Sequence, residues 1–163
     1  VVAWESDVQD GGGRGIYAQR YDAGGVAQGS EFQVNSYTTG NQSLAKVAMD
    51  ADGDFVVAWE SVGQDGSLNG IYAQRYDAAG VAQGSEFQVN TYTTNSQRVP
   101  AVAMDAGGDF VVAWESDFQD GSGRGIYAQR YDAGGAAQGS EFQVNSYTTG
   151  NQRLPKVARD ADR

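Results

Sequence analysis

The chain has 163 residues, a formal net charge of −10 and a sequence pI of about 4.2. It contains no cysteine and no histidine, which excludes disulfides and thiolate metal sites and removes the commonest general base. So acidic a surface repels phosphate backbones, and no apolar run is long enough to span a bilayer, so neither nucleic acid binding nor membrane insertion is expected.

The dominant signal is self-similarity. Val-Val-Ala-Trp-Glu-Ser begins at Val1, Val56 and Val111; Ile-Tyr-Ala-Gln-Arg-Tyr-Asp begins at Ile16, Ile71 and Ile126; Glu-Phe-Gln-Val-Asn begins at Glu31, Glu86 and Glu141. The step is 55 residues, which divides the chain into repeats 1–55, 56–110 and 111–163, the last truncated, together one three-blade unit. Within a repeat the elements follow in order. A short apolar strand, Lys46 to Met49, leads into the turn Asp50-Ala51-Asp52-Gly53-Asp54. A second strand, Phe55 to Glu60, is largely apolar on both faces, as for a strand packed between neighbouring sheets. After a Gly/Asp-rich loop comes a third strand, Ile71 to Asp77, then a turn at Ala78-Ala79-Gly80, then a fourth strand, Glu86 to Asn90. No stretch carries a sustained helical period.

Four short antiparallel strands in each repeat predict an all-β chain, a β-propeller-like array of four-stranded blades. Solenoid coils are shorter, and immunoglobulin-like domains take about 100 residues. The chain opens on strand two and ends on strand one, Lys156 to Ala158, so its termini are two halves of one blade, shared within or between chains. Since rings need about 4–8 blades, three predict a closed oligomer with a second copy, an open filament, or a piece of a longer array. The lack of an initiator methionine and the start inside a repeat fit a piece of a longer or processed protein.

Two repeated constellations are candidate sites. Trp4, Glu5 and Arg20, with their copies Trp59, Glu60, Arg75 and Trp114, Glu115, Arg130, bring an aromatic face, a carboxylate and a guanidinium to each repeat. Such a set holds a sugar, by stacking and charged hydrogen bonds, or else packs blades together with a Glu–Arg pair across strands. Asp50, Asp52 and Asp54 alternate through a turn and offer oxygens to calcium; the alternative is a plain hairpin turn. In the second copy, Asp105 and Asp109 remain but the middle carboxylate is Gly107, and in the third Asp160 and Asp162 remain. The loop after strand two varies most between copies, as a contact loop or an unconstrained turn would. Nothing supports an enzyme: there is no nucleophile elbow and no phosphate loop, and every carboxylate recurs where a catalytic site would break the symmetry.

The strings Gly70 to Gly80 and Gly84 to Thr94 resemble repeats of very large secreted bacterial surface proteins, which often also carry haemolysin-type calcium-binding or cadherin-like modules. The turn at Asp50 to Asp54 has a weaker similarity to the calcium loops of integrin-type propeller blades, with its glycine before the third aspartate. The resemblance implies an extracellular or cell-surface, non-enzymatic, structural or adhesive module that partners other copies of itself. A multivalent, lectin-like module for glycans, supported by calcium, is the alternative.

Overall fold

The computed structural model describes residues 1–160, which form eleven strands and no helix. The first sheet is a meander of β1 (Val2–Asp7), β2 (Arg14–Tyr21) and β3 (Ala27–Gln33). The second holds β4 (Gln42–Met49), β5 (Phe55–Val62), β6 (Asn69–Tyr76) and β7 (Ala82–Gln88). The third holds β8 (Gln97–Met104), β9 (Phe110–Asp117), β10 (Arg124–Tyr131) and β11 (Phe142–Gln143). All pairings within these sheets are antiparallel, and register repeats with sequence: Trp4 lies opposite Tyr17, Trp59 opposite Tyr72, and Trp114 opposite Tyr127.

Two cores follow from the two-faced apolar strands. Phe55, Val57 and Trp59 join Ile16, Ala18 and Val34 between the first and second sheets. Val56 and Ala58, pointing the other way from the same strand, join Phe110, Val112 and Trp114 between the second and third. Alternation along one strand thus serves two interfaces. Only the second sheet is covered on both faces.

Strand limits differ from the sequence reading in ways that hydrogen bonding explains. The first strand of a sheet begins four residues earlier than the predicted Lys46, at Gln42. Its ladder is broken by a bulge between Ser43 and Lys46, as that of β8 is between Arg98 and Ala101, and the bulge hides the period of two. At this bulge Leu44 and Val99 adopt φ of 57° and 53°, a left-handed conformation rare for such side chains. The fourth strand ends at Gln88 instead of Asn90, because the Asn90 side chain takes over from the backbone: its Oδ1 accepts the Ile71 N–H at 2.7 Å. The predicted strand at Lys156 to Ala158 is absent. That segment has no second strand beside it, and a ladder needs two. The first sheet correspondingly has three strands, with β1 at its open edge.

Candidate functional site

The Trp, Glu and Arg of each repeat do not converge on one pocket. Trp59 and Trp114 are fully buried in the two cores, and their indole N–H groups have no hydrogen-bond partner, so they act there by packing. Trp4, with no sheet in front of it, is only half-buried. Two of the glutamates reach from one sheet to the next, and the third reaches the segment after the last sheet. Glu5 accepts the N–H of Leu44 at 2.7 Å, Glu60 that of Val99 at 3.2 Å, and Glu115 that of Leu154 at 2.8 Å. Each of these N–H groups belongs to a left-handed residue, Leu154 included at φ 57°. Glu5 and Glu60 therefore each hold a strained bulge in place, and Glu115 holds the left-handed Leu154.

The Glu–Arg pair predicted across strands forms with a different arginine. Arg14 meets Glu5 at 3.2 Å and Arg124 meets Glu115 at 3.0 Å, because Glu5 lies opposite Ile16, far along β2 from Arg20. In the middle copy Asn69 donates to Glu60 instead, and burial lifts the Glu60 carboxyl above the usual range, opposed by the Val99 N–H, Arg98 and Ser43. Arg20 and Arg75 have another task. Arg20 donates to the carbonyl of Ala78, and Arg75 to those of Ala133 and Gly134, each in a turn of the following sheet. Arg130, the third copy, is exposed.

The acidic turns are organised around backbone amides. Asp50 Oδ1 accepts the N–H groups of Asp52 and Asp54, both at 2.9 Å, and Asp54 Oδ1 accepts that of Ala78. Asp105 and Asp109 repeat the pattern with Gly107, Asp109 and Ala133, and Arg159 adds a cation 2.7 Å from Asp105. Among the described residues, no group of three or more His, Cys, Asp or Glu side chains is placed to hold a metal ion. Asp162 lies outside them. Beside the variable loop the constant feature is steric: a Cβ at Gly15, Gly70 or Gly125 would stand 2.7, 2.9 or 2.8 Å from Oδ2 of Asp10, Asp65 or Asp120, so a larger residue there would have to displace that carboxylate. Val8 and Phe118, at its tip, are exposed and left-handed.

Several residues that join the sheets lie outside the two candidate sets, most of them in the repeated strings. Glu86 accepts the Ser36 N–H and hydroxyl at 2.7 and 3.0 Å; Glu141 does the same for Thr91 at 2.6 and 3.0 Å. Tyr76 stacks on Phe55, lies 5.2 Å from Phe32 and donates to the Val34 carbonyl, and Tyr131 repeats this with Phe110, Phe87 and Val89. Burial raises both phenols well above their ordinary pKa. Asn35, Gln42 and Ser61 form a buried polar chain, repeated by Asn90, Gln97 and Ser116. Their recurrence at positions where a turn needs no amide was the available clue.

At the two ends these contacts are half-made. Tyr21 is 46 % exposed against 5 % for Tyr76 and Tyr131, and Val144 is 55 % exposed against 5 % for Val34 and 2 % for Val89. On the third sheet, a groove of about 590 Å³ is lined by Asp109, Arg130, Asp132, Phe142 and Arg159.

No protein-family model matches this chain, and no curated protein does. Among solved structures it is similar to an endo-arabinase from Bacteroides thetaiotaomicron, at 16 % identity and a TM-score of 0.42, over 82 % of this chain and 58 % of that one. It is also similar to a fucose lectin from Kordia zhangzhouensis in complex with methyl-fucoside, at 13 % identity and a TM-score of 0.40, over 90 % of this chain and 99 % of the lectin. The chain thus spans somewhat over half the length of the arabinase. Overlap this loose carries no function across.

Proposed function

We propose that this chain is a non-catalytic, extracellular repeat module that associates end to end with further copies of itself, each sheet serving as one blade of a propeller-like array. The observation that supports this most is an open edge at one end and, at the other, a first-strand sequence that forms no ladder. Strands β5 and β9 are each flanked by a first strand, and β1, their equivalent, is not. Gln152-Arg-Leu-Pro-Lys-Val-Ala repeats the start of β4 and β8; it is tethered to the third sheet, through the Gln152 N–H on the Arg124 carbonyl and the Leu154 N–H on Glu115, but forms no strand ladder of its own. Carried over from the β8–β9 register, Arg153 would lie opposite Glu5, Lys156 opposite Ala3 and Val157 opposite Val2. The test is light scattering on the whole chain and on a chain ending at Asn151. The whole chain should exceed 17.3 kDa as concentration rises, and the shortened one should not. A whole chain that stays at 17.3 kDa throughout overturns the reading.

The groove lined by Arg130 and Phe142 favours a second reading, a carbohydrate site. An exposed ring, two guanidiniums and two carboxylates suit the apolar face and the hydroxyls of a sugar. Glycan screening of dilute protein, with Arg130→Ala as control, separates the two.

A further inference from the structure

We infer that the two outer faces of the chain are the halves of one polar lock, and that the occupant of each is the opposite face of a second copy. This rests on the end-to-end reading above but concerns the faces and not the shared strand. Its grounds are the two interfaces already inside the molecule, which use the same set of contacts. At each, an arginine of the preceding sheet donates to turn carbonyls of the following one. A glutamate of the following sheet accepts a backbone N–H and a hydroxyl from the preceding one. A tyrosine of the following sheet packs on a phenylalanine and donates to a valine carbonyl of the preceding one.

Every member of this set has a copy at each end of the chain that lacks its partner. The first sheet presents the receiving half: the turn carbonyls of Ala23 and Gly24, the exposed carboxylate of Glu31, and the exposed ring of Tyr21. The third sheet presents the donating half: exposed Arg130, exposed Ser146 with its N–H and hydroxyl, and the exposed pair Phe142 and Val144. The charges complement each other, with a carboxylate on one face and a guanidinium on the other. Between copies Arg130 donates to the Ala23 and Gly24 carbonyls, Ser146 donates to Glu31, and Tyr21 lies on Phe142 with its hydroxyl on the Val144 carbonyl. The contact is heterologous, so one molecule uses both faces at once and the interface has a polarity.

Polarity is what the experiment reads. One variant breaks the receiving face (Tyr21→Ala with Glu31→Ala) and another the donating face (Arg130→Ala with Phe142→Ala). These residues are exposed or lie at an open face, and circular dichroism melting confirms that each variant folds. Each alone should dissociate at least about tenfold more readily than the parent chain. Mixed in equal amounts they should form a complex of two chains and no larger species, since only one intact pair of faces remains. If either variant alone assembles as the parent does, the lock is wrong while end-to-end association stands. If both are impaired and mixing restores nothing, the assigned polarity is wrong. A parent chain that never associates overturns the end-to-end reading and the lock with it.

Discussion

The interior of the stack and its two ends are built from the same residues and behave differently. Tyr21, Tyr76 and Tyr131 are one side chain in three copies; the last two are buried between rings and carbonyls, and the first stands in solvent. Val34 and Val89 are sealed where Val144 is open. Arg75 is held by two carbonyls where Arg130 is exposed. Since the sequence is constant, the neighbouring sheet decides the environment. A repeat of this kind cannot bury its own apolar faces and depends on what lies next to it.

The largest test of that contrast is tryptophan. Trp114→Ala empties a fully buried site between two sheets and should lower stability by about 3–5 kcal/mol, read from the denaturant midpoint. Trp4→Ala on the outer face of the first sheet should cost well under half of that in dilute solution. Equal costs would mean that the outer face is covered in solution. A smaller effect comes from one hydroxyl. Tyr131→Phe leaves the Val89 carbonyl without its donor and should cost about 1 kcal/mol, whereas Tyr21→Phe should leave the dilute chain's stability unchanged.

The smallest effect concerns Glu60. Burial raises its carboxyl above the ordinary value of about 4.3, so the folded chain binds that proton more readily than the unfolded chain. Its contribution is therefore fully present below the ordinary value and is lost as pH rises through the raised one. Glu60→Gln should flatten the decline in stability over that window. An unchanged pH slope would show that Asn69 and Arg98 already compensate the charge.

The repeat, the all-β class and the two central strands of each sheet were legible because their alternation is unbroken and recurs. The limits of the outer strands were not. Leu44 interrupts the period of two at a bulge, and Ala82-Gln83-Gly84-Ser85 looks like a turn but pairs with β6. The candidate sets were legible as residues and not as partners. Glu5 and Arg20 look like a pair in the sequence, yet register places Arg14 at the carboxylate and sends Arg20 to the next sheet. Aspartates at alternate positions suggested converging oxygens, whereas Asp50 turns its Oδ1 onto the amides two and four residues on. Glu86 and Glu141 recur in a repeated string, but their role was not legible, since their partners lie 50 residues earlier in the chain.

Each pair of sheets adjacent along the chain shares its own core, and this bears on how the molecule is made. The inter-sheet hydrogen bonds of the arginines, tyrosines and Glu86 join residues separated by about one repeat: 50 for Ser36 and Glu86, 42 for Val34 and Tyr76, 59 for Arg75 and Gly134. Folding can thus nucleate on either adjacent pair and spread outward, with stability growing in steps as each sheet docks. Near-identical repeats also make the partners interchangeable. During refolding a sheet can meet the matching sheet of another molecule before its own, so yield and rate should worsen as the chain is concentrated.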